Sequence, residues 1–191
     1  MTDRIQNLRE LFFAGAHKQY RVDDLGLSVL TEETKNLPFA IRKATAFACA
    51  LENMNIFLLE GDLLCGGKTV YKLPTYITEE EIAWGNHNFE TGGYNHAFDI
   101  VFNLGHDDRG FSRIDSCVPA FYKVVPQGVP GLIGEAERWM AETTDEDKIT
   151  YYQSVIIAQT AVLKLMNRYE KLCLEQAAAA EGSRKAELEQ K

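Results

Sequence analysis

The chain has 191 residues, with 20 lysines and arginines against 28 aspartates and glutamates, for a formal charge of -8. That length suits one or two domains, and 46% hydrophobic with 25% charged content is ordinary for a globular protein, which excludes a wholly disordered chain. The acidic balance, with no lysine or arginine run, lacks the basic face that displaces counterions from phosphate, so neither nucleic acid nor an anionic membrane is an expected partner.

No window reaches the roughly 18 consecutive apolar residues of a membrane span. The longest candidate, Phe39 to Leu51, is broken by Arg42, Lys43 and Thr45. Met1 to Glu10 mixes polar with apolar residues and holds no apolar core ending in a cleavage site, so no signal peptide is expected and the chain reads as cytoplasmic. Cys49, Cys65, Cys117 and Cys173 form no CxxC pair. This argues against a zinc module or a small disulfide scaffold and for reduced thiols.

Ile5, Leu8, Leu11 and Phe12 recur at helical spacing, which predicts an amphipathic helix over residues 3–20. A second helix is predicted from Pro38 through Phe39 to Glu52, where proline suits the start and Cys49 reads as a small buried apolar residue. Ile56 to Leu59 and Leu63 to Cys65, separated by Glu60-Gly61-Asp62, fit two short strands. Gly66-Gly67 lacks the full pattern of a phosphate loop. Thr78 followed by Glu81 is a capping box for a short helix through Trp84.

Residues 85–117 read as an irregular loop, with Gly85, Gly92, Gly93, Gly105 and Gly110 beside His87, His96 and His106. Function concentrates in such loops. A metal site would enlist the histidines with Asp99, Asp107 or Asp108, but their spacing matches no local ligand motif, so no metal is expected. After Pro119 the pattern is helical. Val129-Pro130-Gly131 leads into Leu132, Ile133, Ala136 and Trp139-Met140, and the helix ends in the acidic Glu142 to Asp147 segment. A long helix follows from Thr144 or Asp145 to about Ala180, carrying Tyr152, Val155, Ile156, Val162, Met166, Tyr169 and Cys173, and reaching about 45 to 50 Å. The apolar stripe of this long helix is more than two shorter helices and a small hairpin can cover, so an exposed apolar patch for a partner is expected, and Ser183 is the expected cap of a last short helix whose end should fray.

Three stretches in order carry a resemblance. LENMNIFLLEGDLLCG (residues 51–66) resembles a family segment in which an early helix leads to a short strand and an acid-Leu-Ile-Val-Gly turn, with Leu73-Pro74 and Tyr76 after it. VPAFYKVVPQGVPGLIGEAE (118–137) resembles that family's Pro-Asp-Tyr, Val-Leu and Gly-Leu-Gly-Ile pattern. YYQSVIIAQTAVLKLMNRYEKLC (151–173), followed by Arg184 to Glu187-Leu188, resembles its long helix and the Arg-x-x-Glu-Leu start of the next. The family is the glycyl radical enzymes, in their pyruvate formate-lyase-like domain.

The resemblance implies a mainly α chain, the helical N-terminal portion of a glycyl radical enzyme α/β barrel, with a small β element around residues 55–72. It implies a single partial domain over 1–191: helices and the β element to residue 84, the irregular loop over 85–117, and helices over 118–191. Family members are acyltransferases, dehydratases, decarboxylases and lyases. In them a glycine is made a radical by a separate activating enzyme that uses S-adenosylmethionine, and the radical passes to a cysteine at the barrel centre. The chain is expected to stop before both residues, so no catalytic residue carries over and no cofactor is expected on this chain. Neither Cys65 nor Cys117 has the surroundings of the catalytic cysteine.

His96, Asp115 and Cys117 are the candidate substrate-pocket residues. The expected partners are the remainder of the enzyme or a second copy. Two other readings compete: a non-catalytic helical binding or assembly protein, and a metal-dependent hydrolase centred on the histidines.

Overall fold

A computed structural model describes residues 2–67, 69–90 and 120–190. Its elements are α1 (Asp3–Phe13), a 3-10 turn (Ala16–Tyr20), β1 (Val22–Asp24), α2 (Phe39–Asn53), β2 (Val70–Lys72), α3 (Glu79–Glu90), α4 (Phe121–Ala141), α5 (Glu146–Ala179) and α6 (Gly182–Glu189). The chain is mainly helical with one small parallel sheet among the described residues. No described helix is long and apolar enough to cross a membrane.

α5 organises the packing. Its 34 residues span about 51 Å, and it lies against α2, α4 and α6. Asp145 caps it, its carboxylate accepting the N–H groups of Asp147 (3.1 Å) and Lys148 (3.2 Å), and Glu146 and Asp147 face the positive end of the helix dipole. Close approach is a matter of side-chain size. Ala50 of α2 shares a buried cluster with Met54 and Val70, against which Leu165 of α5 packs. Arg168 of α5 locks the contact by donating to the Leu51 and Met54 carbonyls at the C-terminal end of α2 (2.7 Å to Met54), which satisfies acceptors that a helix end leaves open.

The sequence expectations need four corrections here. The first helix stops at Phe13, because Gly15 takes φ +73° and the chain re-forms as a 3-10 turn. The strands expected at Ile56 to Leu59 and Leu63 to Cys65 are absent: the segment is irregular, with the Asp62 carboxylate accepting Leu59 N–H at 2.7 Å. The β element is instead Val70–Lys72 paired with Val22–Asp24, in register Val22 to Val70 and Asp24 to Lys72. α3 runs past Trp84 to Glu90, so the span expected to be irregular from residue 85 begins as helix.

The fourth correction concerns α6. Glu181 occupies the N-cap position without a side-chain hydrogen bond, Ser183 lies inside the helix, and the helix continues to Glu189. Leu188 is 2% exposed in a cluster with Leu58, Cys173 and Ala177. Arg184 donates to the Asp62 carbonyl (2.9 Å) and the Leu59 carbonyl (3.3 Å), and Glu187 pairs with Arg4 of α1. The helix is short but tied down by tertiary contacts, which overrides the fraying tendency of an isolated helix of its length.

Candidate functional site

His96, Asp115 and Cys117 lie outside the described residues, as does His106. His87 is exposed on α3, and no group of three potential metal ligands occurs among the described residues. Cys49 is half-buried on α2 rather than fully enclosed, and burial pushes its thiol pKa up. Cys65 and Cys173, which the sequence treats as distant, are neighbours in space.

A polar cleft lies at the kink of α4. The sequence pattern is helical after Pro119, and the helix runs over Phe121–Ala141. Gly128 interrupts the helix with φ +64° and ψ -177°, a conformation essentially reserved for glycine, between Pro126 and Pro130. The chain folds back on itself there, so Lys123 Nζ donates to Glu135 Oε1 at 3.0 Å across twelve residues, and Gln127 Nε2 donates to Glu135 Oε2 at 3.4 Å. Beside this pair is an open cleft of about 540 Å³, which Tyr122, Gln127, Gly134 and Arg138 help to line. Gly131 allows the close approach of Gln127, since a Cβ there would sit 2.6 Å from the Gln127 Cβ.

Electrostatics fix the character of this cleft. The hydrogen bond and charge of Glu135 hold the Lys123 pKa above its ordinary value, and the hydrogen bond from Lys123 holds the Glu135 carboxyl below its own. Both stay ionised near neutral pH and neither is tuned for proton transfer, which needs a pKa near the working pH. With Arg138 stacked on the Trp139 ring at 4.9 Å, the cleft is suited to holding polar groups, and its one amine, Lys123, is held protonated by Glu135. The pair of prolines four residues apart around Gly128 is the signal in the sequence that marks this turn.

Comparison with known proteins places these helices. A family model described as pyruvate formate lyase-like matches residues 101–190. The resemblance is to the glycyl radical enzymes. The glycerol-bound B12-independent glycerol dehydratase from Clostridium butyricum has a similar structure, with TM-score 0.60 and 19% identity, and the match covers 100% of this chain and 30% of that one. A glycyl radical enzyme from Archaeoglobus fulgidus is similar at TM-score 0.57 and 19% identity, covering 98% of this chain and 30% of its own. The chain therefore has the fold of part of the glycyl radical enzyme barrel and spans about 30% of the length of these neighbours. A search of curated proteins returns no match. The matched family segment includes α4, α5 and α6 together with Asp115 and Cys117, while His96 precedes it.

Proposed function

We propose that the chain forms the helical N-terminal part of a pyruvate formate-lyase-like glycyl radical enzyme in the cytoplasm, and that it does not turn over substrate alone. The observation that carries this reading is the alignment of essentially the whole chain with 30% of two glycyl radical enzymes. In this reading α5 is a scaffold helix against which the remainder of the enzyme closes. The remainder supplies the glycine that an S-adenosylmethionine-dependent activating enzyme converts to a radical, and the cysteine that receives it. The reaction belongs to the lyase, dehydratase, decarboxylase or acyltransferase classes. His96, Asp115 and Cys117 contribute to the wall of the substrate pocket.

Electron paramagnetic resonance tests the reading. The 191-residue chain, treated anaerobically with an activating enzyme and S-adenosylmethionine, is expected to give no glycyl doublet and no lyase turnover. A doublet from this chain alone overturns the proposal.

A second reading, a non-catalytic helical binding or assembly protein, is favoured by one observation. Arg4 of the first helix pairs with Glu187 of the last, which closes the described elements on one another. Light scattering separates the two. Self-association with dye-binding apolar surface supports the enzyme part, and a monomer with a cooperative melt and no such surface supports the assembly protein.

A further inference from the structure

Away from the α4 cleft, two thiols 108 residues apart in sequence meet with their Sγ atoms 3.5 Å apart. Cys65 is exposed, on the irregular segment after α2, whereas Cys173 is on α5 with 1% of its surface accessible. Cys173 packs with Leu58, Ala177 and Leu188, so one thiol meets solvent and the other is sheltered by apolar side chains. Gly66, next to Cys65, adopts φ +111° with open space around it, so the main chain there has room to carry the Cys65 sulfur the about 1.5 Å that separates thiol contact from a disulfide bond.

We propose that Cys65 and Cys173 are a redox-active thiol pair that a hydroperoxide closes to a disulfide. The Cys65 thiolate attacks the peroxide: an S–O bond forms, the O–O bond breaks and the leaving oxygen departs as water or alcohol, giving a sulfenic acid at Cys65. Cys173, already in contact, then attacks that sulfur; the S–S bond forms, the S–O bond breaks and water leaves with the Cys173 proton. Two thiols are oxidised and one peroxide is reduced. The exposed partner meets the oxidant and the sheltered partner resolves it, and a dithiol reverses the reaction. The bond ties the segment between α2 and β2 to α5, beside the Arg184 contacts to Leu59 and Asp62 that hold it in the reduced state. This proposal is independent of the enzyme reading above, since it rests on the thiol contact alone.

The test is to treat the reduced full chain with hydrogen peroxide and map its non-reduced peptides. The expected product is an intramolecular Cys65–Cys173 link with loss of two hydrogens, a higher melting temperature, and reversal by dithiothreitol. Cys65→Ser abolishes both link and shift, while Cys49→Ser and Cys117→Ser retain them. Because Cys173 is buried and its replacement risks the fold, the exposed Cys65 variant carries the test. Sulfinic or sulfonic acid at Cys65 with an untouched Cys173 thiol, or a disulfide-linked dimer through Cys65, overturns the proposal.

Discussion

Arg42 of α2 and Glu81 of α3 are joined through two parallel hydrogen bonds, with guanidinium Nη1 2.8 Å from Glu81 Oε2 and Nη2 on Oε1. The same arginine, only 4% exposed, donates to the carbonyls of Tyr76 (2.7 Å) and Leu37 (3.0 Å). Glu81 also completes the capping box: its carboxylate accepts Thr78 N–H at 3.0 Å while the Thr78 hydroxyl accepts Glu81 N–H at 3.2 Å. A local helix signal and a long-range anchor thus share one carboxylate.

Removing one member of this pair leaves the other uncompensated. Arg42→Ala is expected to destabilise the chain by about 3 kcal/mol, because a buried, multiply bonded charge disappears and two carbonyls lose their donor. Glu81→Gln should cost less, about 1 kcal/mol, since the Glu81 side chain is 35% exposed and its charge is screened by solvent. Urea midpoints check both values. Equal effects of the two variants would contradict the asymmetry in burial.

The Arg42 hydrogen bonds hold the Glu81 carboxyl below its ordinary value of 4.5. Glu187 is lowered likewise by Arg4, and Asp145 by the backbone N–H of Lys148. A lowered folded-state value means that the unfolded chain binds protons first, so the stabilisation is complete above about pH 4.5 and is lost as pH falls through the folded value. The melting temperature is expected to hold between pH 7 and about 5 and to fall below that. Glu81→Gln should flatten the acid limb, and an unchanged limb in that variant would remove Glu81 from the account.

Arg168 sits where α2 runs out of internal donors. Arg168→Met keeps most of the aliphatic stem but strands the Leu51 and Met54 carbonyls, at an expected cost of about 2 to 3 kcal/mol. Hydrogen exchange should accelerate first in the last turn of α2. Faster exchange confined to α5 would point to lost packing of the arginine stem instead.

At the α4 kink, Gly128→Ala forces a side chain into backbone geometry that only glycine adopts readily, at about 1 to 3 kcal/mol. The Lys123–Glu135 pair depends on that fold-back. The variant is therefore expected to show a Glu135 pKa nearer its ordinary value by NMR titration, and a Glu135 that still titrates low would mean that the kink survives without glycine.

α6 supplies a further stability test. Leu188→Ala empties a site among Leu58, Cys173 and Ala177, with an expected loss of about 2 to 4 kcal/mol. Slow amide exchange at Leu188 in the parent chain is the companion expectation. Rapid exchange there, with little effect of the substitution, would restore the frayed end that helix length alone predicts.

Patterns of short range were legible in the sequence. The period of α5, its Asp145 cap, the proline at the start of α2, the Thr78–Glu81 capping box and the helical character of most of the chain follow from residues within a turn or two of one another. The resemblance to glycyl radical enzymes was legible too, from three ordered stretches. The candidate pocket residues His96, Asp115 and Cys117 rest on the same resemblance and lie outside the described residues.

Tertiary structure decided what depends on partners distant in the chain. Ile56 to Leu59 looks like a strand by composition, yet Val70 pairs with Val22 instead, because a strand exists only where another backbone can complete its hydrogen bonds. α6 is too short to stand alone, and Arg184, Glu187 and Leu188 hold it through contacts to Asp62, Arg4 and Leu58, all distant in the sequence. The α4 fold-back and the meeting of Cys65 with Cys173 are of the same kind. Local spacing encodes propensity and caps, whereas closing long loops becomes favourable only once burial and buried hydrogen bonds offset the ordering entropy, and those are properties of the folded chain.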